Sequence, residues 1–464
     1  MFNDYLFPLL ILITGIVVMK TLNSDWIKSI SVPLQNAAKN KLSTDEDHLH
    51  SNDSSDFVEI FCLKDCDDVM KDHVNRPGLK RIKMVYKFLP DMRNHHYHNV
   101  PLSPYLISYI TKWKKILLSG SFSRNPWKIL KEVTSFESLF NDLNSHNGLS
   151  DIVHAMRTQK VLHADVGFRG TQLKLMLTLE GNQKAIFKPK RSEINGVVKG
   201  DIYSGTDRHQ GEIVAFHLSI LLNITSVPLV VGRKFLLRKQ ILSVASKQLS
   251  KTVFYQGRRT CFYGECHFCR RKTPVCDDGV FIDGALILWL PDNLPLAHIV
   301  HPWARTYQKD KLARWEISEN YCFEISPSLL SEERIDLLLN LVDTCILDFL
   351  IQNGDRHHFT VLENAPRYSF ISLDNGKSFG NPFVDHLDVL APLLQCCRIR
   401  QRTFDRLFLL KGGVLSRALD ELLSTDPLYP ILSVLHSMAL DRRVTLVLAA
   451  IEACRQSVGN NLFL

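Results

Sequence analysis

No stretch of about 20–50 residues recurs along the chain, which excludes a solenoid or propeller of stacked repeats. Charge of one sign is not in excess either: 56 basic against 48 acidic residues leave a net charge of +8 over 464 residues. The basic residues are scattered and no DNA or RNA motif is present, so nucleic acid is not expected as a partner. The mild positive balance suits an acidic or phosphorylated ligand. Apolar residues at 45% and charged residues at 22% exclude a disordered or fibrous chain. This length permits one large two-lobed domain, or two ordinary ones, with a substantial core.

A long membrane-spanning run is also missing. Residues 5–19, YLFPLLILITGIVVM, carry no charge for fifteen positions and end at Lys20. That is short for a thick bilayer and sufficient for the thinner membranes of the secretory pathway. No basic segment precedes the run and no small-x-small cleavage site follows it. Residues 1–21 therefore read as a membrane anchor in preference to a cleaved signal peptide, while Asp4 and Lys20 leave its orientation open. Residues 22–79 read as a stem, because 39–56 (KNKLSTDEDHLHSNDSSD) is polar and poor in aromatics. The sequons at Asn52 and Asn223 agree with a secretory route. RNHHYHNV (93–100) has three histidines but no carboxylate or cysteine close by, and reads as surface.

Cysteine is plentiful, at eleven residues, and Cys261, Cys266, Cys269 and Cys276 crowd into CFYGECHFCRRKTPVC. Four thiolates at this spacing could hold zinc. In an oxidising lumen, nested disulfides are the better reading.

The hydrophobic pattern places the remaining elements. Residues 171–190 alternate around Glu180-Gly181-Asn182, a hairpin signal. Residues 206–222 read as a helix with Thr206 as N-cap, Asp207 in the first turn and an apolar face of Ala215, Leu218 and Leu222. Residues 334–354 are apolar nearly all round, a buried helix stopped at Asn353-Gly354. Residues 360–362 and 368–373 form a second hairpin, and the chain beyond 385 is mainly helical. The order is an α+β, two-lobed one.

Phosphoryl transfer from ATP needs a cation on the phosphates, a carboxylate holding that cation, one for metal and one facing the acceptor hydroxyl. Lys188 ends a strand and Glu212 follows 24 residues later on the helix. Gly167 and Gly170 could let backbone approach phosphate. Asp355 follows the buried helix, and Asp374 comes nineteen residues after it in an Asp-Asn-Gly turn. Singly these are weak, since strand lysines snorkel and Asp-Asn-Gly is a good turn sequence; their joint order carries the reading. His357 and His358 adjoin Asp355 and read as loop-positioning residues, because hard divalent cations prefer the carboxylates on offer.

Over residues 160–455 the chain resembles the secretory-pathway atypical kinases, the Golgi casein kinase-like family. The resemblance rests on GTQLKLMLTLEGNQKAIFKPK, DRHQGEIVAFHL, LWLPD, DFLIQNGDRHH, LDNGKSFGNP and LAPLLQCCRIR. CFYGECHFC, HPWARTY and KLARWE look closer to the family's xylose-phosphorylating branch than to its protein-kinase branch. The resemblance implies a two-lobed atypical kinase fold with a disulfide-rich insertion: an N-lobe over 80–286 and a mainly helical C-lobe over 287–464. It implies Asp355 as the catalytic carboxylate, Asp207 and Asp374 as ligands of Mn²⁺ or Mg²⁺, and Gln172, Lys174 and Lys188 on the nucleotide phosphates. Glu212 would pair a lysine, and Ile287, Leu288, Trp289 and Leu290 would form the hinge against adenine. Its disulfides would join Cys261 to Cys276, Cys266 to Cys269, Cys322 to Cys396 and Cys397 to Cys454. Cys62, Cys66 and Cys345 are left over, and Cys345 reads as a packed thiol.

The implied activity is ATP-dependent phosphorylation of xylose, at the 2-position, in the linker between glycosaminoglycan chains and proteoglycan core proteins, in the Golgi lumen. Two alternatives stay open: a kinase for serines in acidic secreted proteins, and a pseudokinase that activates a relative. Trp303, Tyr307 and Trp315 are candidates for stacking on a sugar; Arg270, Arg271 and Lys272 would suit an acidic partner. One departure stands out. The family carries a nucleotide-contacting glutamate five residues after the catalytic aspartate, where this chain has Thr360, with Glu363 three residues further on. Nucleotide affinity or choice is the property this puts in question.

Overall fold

The computed structural model describes residues 75–94, 100–120, 125–132, 148–167, 170–224, 226–292, 294, 296–308, 310–329, 335–362 and 370–464. The apolar run at 5–19, the stem to residue 74, Cys62, Cys66, the histidines of 93–100, Thr225 and Glu363 lie outside the described residues. Among the described residues no helix is long and apolar enough to cross a membrane.

Helix α1 (Ile82–Asn94) packs along the last long helix of the chain. A five-stranded antiparallel sheet follows, built from β1 (Val161–Val166), β2 (Leu175–Leu179), β3 (Gln183–Pro189), β4 (Val230–Leu236) and β8 (Phe281–Leu288), in the order β1-β2-β3-β8-β4. Strand β2 reads Leu-Met-Leu-Thr-Leu with every second residue buried, as a strand packed on one face requires. The β2–β3 turn falls on Glu180–Asn182, where Gly181 and Asn182 both take positive φ, at 76° and 62°. Beneath the sheet Phe187 and Phe235 meet edge to face at 5.2 Å.

Helix α2 (His209–Leu222) runs between the sheet and the helical half of the molecule. All fourteen of its residues are buried, so it is not the one-faced helix that Ala215, Leu218 and Leu222 predict. Thr206 is not its cap: the helix begins at His209, and Arg208, at the N-cap, makes no side-chain cap. The start is held instead by Arg208 N–H donating to Gly376 O at 2.8 Å.

Strands β5 (Val253–Gln256), β6 (Arg259–Phe262) and β7 (Val275–Cys276) form the cysteine-rich insertion, a small three-stranded sheet. A third sheet, ordered β11-β10-β9, joins β9 (Leu296–Val300), β10 (His358–Leu362) and β11 (Phe370–Ile371). The β10–β11 pair is the second hairpin; its neighbour β9 has no signature in the sequence reading.

Helix α3 (Ile335–Ile351) is the buried core of the helical half. Its buried carboxylates are all partnered: Asp343 by Arg400 at 2.5 Å and Thr403 at 2.7 Å, and Asp348 by Arg356 and Asn353. The helix stops one residue earlier than its Asn-Gly signal, because Gln352 takes the left-handed conformation (φ 61°) and Asn353 N–H returns to Asp348 O at 2.7 Å. Gly354 serves close approach instead: a Cβ there would lie 2.2 Å from Ile202 Cγ2. Helices α4 (Ala391–Cys396) and α5 (Val434–Val458) belong to this half too, with the helices Gln401–Leu409 and Val414–Leu423 between them.

Candidate active site

Lys188 pairs across the sheet with Ala285, and Ile186 with Ile287. Cross-strand partners point to the same side, so these four residues share one face. Ile186 and Ile287 are half-buried there, an apolar surface ending in a cation. At the end of β8, Leu288 N–H donates to Leu229 O at 2.9 Å and Trp289 O accepts from Gln183 Nε2 at 2.9 Å; Leu290 is buried.

Three elements deliver carboxylates to the Lys188 ammonium. Asp207 Oδ2, just before α2, accepts at 2.9 Å; Glu212 Oε1, one turn into α2, at 2.7 Å; and Asp374 Oδ1, in the Asp-Asn-Gly turn, also accepts. Burial pulls the Lys188 pKa down, but Asp207, Asp374 and Glu212 outweigh it and leave it well above the usual lysine value. Asp374 faces the cleft with its side chain 67% exposed, and Lys188 holds its carboxyl far below the ordinary range.

Two glycines allow this convergence. A Cβ on Gly376 would lie 2.7 Å from Asp207 Cγ, and one on Gly211 would lie 2.4 Å from Asn375 O. Helix α2 therefore seats directly on the Asp-Asn-Gly turn. Glu212 fastens it further, accepting from Asn375 N–H at 3.0 Å and Asn375 Nδ2 at 3.3 Å. Asp374 itself has a left-handed backbone, φ 60°. Asp207 and Asp374 are hard oxygen donors of the kind a divalent cation takes; among the described residues no group of three or more His, Cys, Asp or Glu side chains is arranged to hold a metal ion.

Asp355 stands on the loop after α3. Its N–H donates to Asn353 Oδ1 at 3.2 Å, and its carboxylate Oδ1 accepts from the Tyr307 hydroxyl at 2.6 Å. Burial raises the Asp355 pKa, and the hydrogen bond from Tyr307, with the charge of the nearby His357 ring, partly offsets it. Arg356 turns inward, donating through Nε and Nη2 to Asp348 at 2.9 and 2.7 Å, and through Nη2 to Asn375 Oδ1 at 2.7 Å. His357 Nδ1 lies 2.8 Å from Asp355 O, and His357 and His358 are exposed.

The turn carrying Gly167 and Gly170 lies against Lys174. Gly167 N–H donates to Lys174 O at 3.0 Å, and a Cβ on Gly170 would lie 2.7 Å from Lys174 Nζ. Gln172 accepts from Arg191 at 3.3 Å. The insertion packs onto this turn, with Phe268 N–H donating to Thr171 O at 3.0 Å. The structure joins Cys261 to Cys276, Cys266 to Cys269, Cys322 to Cys396 and Cys397 to Cys454, so the C-x2-C pair forms a disulfide where zinc was the alternative. Cys345 is a buried free thiol whose pKa burial raises.

Trp303 and Trp315 are buried, donating to Gln395 Oε1 at 2.7 Å and to Ala304 O at 2.9 Å, and so cannot stack on a sugar. Tyr307 does reach the site. Arg270 donates to its own loop carbonyls at 2.8 Å, and Arg271 lies over the Phe254 ring. Thr360 is buried with its hydroxyl 2.9 Å from His298 Nδ1. Sequence reasoning gave no role to Lys377, whose ammonium donates to Gly205 O and feels the charges of Asp207, Asp355 and Asp374, or to Tyr203, whose ring meets Tyr307 at 4.9 Å. The only available signals were a lysine two residues beyond the Asp-Asn pair and a tyrosine just before Asp207.

Fold and site together define a two-lobed phosphotransferase of the protein-kinase type, acting on a hydroxyl group. The family model for the Golgi casein kinase C-terminal domain, Fam20, matches residues 125–462, and the chain belongs to the Fam20 family. It is 45% identical over 338 residues to the glycosaminoglycan xylosylkinase of Danio rerio, covering 73% of this chain and 82% of that one. Its fold matches the structure of hydra Fam20 with sugar at a TM-score of 0.69 and 42% identity, over 74% of this chain and 99% of that one. It matches the Golgi casein kinase with Mn/ADP bound at a TM-score of 0.65 and 28% identity, over 78% and 92% of the two chains.

Proposed function

We propose that this chain is an ATP-dependent kinase that phosphorylates a xylose hydroxyl, the 2-position, in the glycosaminoglycan linker of proteoglycans. The observation that carries the chemistry is the meeting of Asp207, Glu212 and Asp374 on Lys188, with Asp355 on the adjoining loop. The acceptor class is supported by the 45% identity to a xylosylkinase. Asp355 orients the sugar hydroxyl and takes its proton late, as the oxygen bonds to the γ-phosphorus and the bond to ADP breaks. Lys188 and Lys174 neutralise phosphate oxygens, and Glu212 keeps Lys188 in place. Asp207 and Asp374 would hold Mn²⁺ or Mg²⁺, an ion that supplies charge neutralisation on the triphosphate.

The compartment in this reading is the Golgi lumen, with residues 5–19 as the anchor and Asn52 and Asn223 as glycan acceptors. Four disulfides fit an oxidising lumen.

The test incubates the chain, made in a secretory host, with Mn²⁺, ATP and two acceptors: a galactosyl-xyloside and an acidic serine peptide. Phosphate is expected on the xyloside. Phosphate on the peptide alone would assign a protein kinase. Nucleotide-dependent thermal stabilisation with no product on either would assign a pseudokinase. Asp374→Ala is expected to abolish turnover, and full activity in that variant would sink the assignment.

A further inference from the structure

We infer that Tyr307 is a positioning residue for the acceptor step, its phenol holding Oδ1 of Asp355 so that Oδ2 is left to receive the acceptor's proton. The inference rests on the reading of Asp355 given above. The Tyr307 hydroxyl donates to Oδ1 at 2.6 Å, and Oδ2 has no hydrogen-bond partner among the described residues. The nearest imidazole nitrogen, His357 Nδ1, is 3.8 Å from Oδ1, beyond hydrogen-bond length. On the main chain, Asn353 holds the Asp355 N–H and the His357 ring meets its carbonyl. Backbone position is thus fixed from both sides, and among the described residues the Tyr307 hydroxyl makes the one hydrogen bond that fixes how the carboxylate is turned.

Two features of Tyr307 point away from a packing role. The residue is 39% exposed, so burial does not explain it. Its backbone is left-handed, φ 57°, a conformation that costs a non-glycine residue and persists where surroundings impose it, often at functional sites. The surroundings here are the Tyr203 ring, edge-on at 4.9 Å, and the His357 ring at 6.1 Å. In the reaction Tyr307 keeps its proton. The acceptor's proton moves to Oδ2 as its oxygen bonds to phosphorus and the bond to ADP breaks.

The test compares Tyr307→Phe with the unaltered chain, using Mn²⁺, ATP and a galactosyl-xyloside, with Asp355→Asn run in parallel. Phenylalanine fills the same space, so the fold is kept and only the hydroxyl is lost. The expected result is a kcat lower by about 10–100-fold, the range for a misplaced proton acceptor, with acceptor KM changed less than about threefold. The acid limb of the kcat profile should move to higher pH, because the lost bond was one that stabilised the carboxylate. Unchanged kcat and acid limb in Tyr307→Phe beside an inactive Asp355→Asn would overturn this inference alone. Retained turnover in Asp355→Asn would overturn the reading of Asp355 and this inference with it.

Discussion

Lys188→Ala is expected to lose turnover, to lose stability, and to gain more stability from Mn²⁺ than the unaltered chain does. Removing the ammonium leaves Asp207 and Glu212, both buried, facing each other and Asp374 with no cation between them. An uncompensated buried charge costs about 3–5 kcal/mol; Asp374, two-thirds exposed, adds less because water screens it. The pH dependence has a definite sign. In the unaltered chain the raised Lys188 pKa contributes stability at every pH below the ordinary lysine value and loses it only in strong alkali. The depressed Asp374 contributes above the ordinary carboxylate range, about pH 4, and loses it as pH falls further. In Lys188→Ala the three carboxylates repel one another, and uptake of a proton relieves the repulsion. The variant should therefore recover stability between pH 7.5 and 5, where the unaltered chain changes little. Mn²⁺ replaces the missing charge, and binding to the folded state alone stabilises it. Denaturant midpoints at the two pH values, with and without Mn²⁺, decide the matter. An equal loss at both, with no added effect of the ion, would mean that the carboxylates are not held together as described.

How much of this was legible depended on whether the signal was local. The β2–β3 hairpin could be read from alternation around Glu180-Gly181-Asn182, and α3 from an apolar run longer than any strand. Lys188 and Glu212 could be matched by their order, since a strand lysine and a helix glutamate need only a short connection to meet. The misread features depend on contacts distant in sequence. Thr206 has the right chemistry for a cap, but Arg208 N–H meets Gly376 O, from a turn nearly 170 residues away, and that fixes where α2 begins. Helix α2 has polar residues that belong on a surface, yet Glu212 finds Lys188 and Asn375, and the helix is buried all round. Trp303 and Tyr307 are four residues apart and look equally fit to stack; only the tertiary fold sends one to Gln395 in the core and the other to Asp355. Gly354 reads as a helix stop, and Ile202 is the reason no side chain fits there.

Arg356, between Asp355 and the paired histidines, carries the second large prediction. Its guanidinium donates to Asp348 twice, at 2.9 and 2.7 Å, to Asn375 Oδ1 at 2.7 Å, and to the Leu373 carbonyl. One planar group thus ties the loop bearing Asp355 to α3 and to the turn bearing Asp374. Arg356→Ala removes all of these bonds and leaves Asp348, a buried carboxylate, with only Asn353 beside it. The expected stability loss is about 3 kcal/mol or more, since the desolvated charge loses its partner. The expected activity loss is at least about 100-fold, because small misplacements of reacting groups are that costly. Arg356→Lys keeps the charge but not the fork, and should fall between. Adding Asp348→Asn to Arg356→Ala removes the orphaned charge, so stability should return in large part while activity stays low: the amide relieves the desolvation without rejoining the two loops. The double-mutant cycle separates these effects. If Asp348→Asn restored activity as fully as stability, Arg356 would be a core residue and no more. If it restored neither, the loss in Arg356→Ala would have to come from the contacts to Asn375 and Leu373.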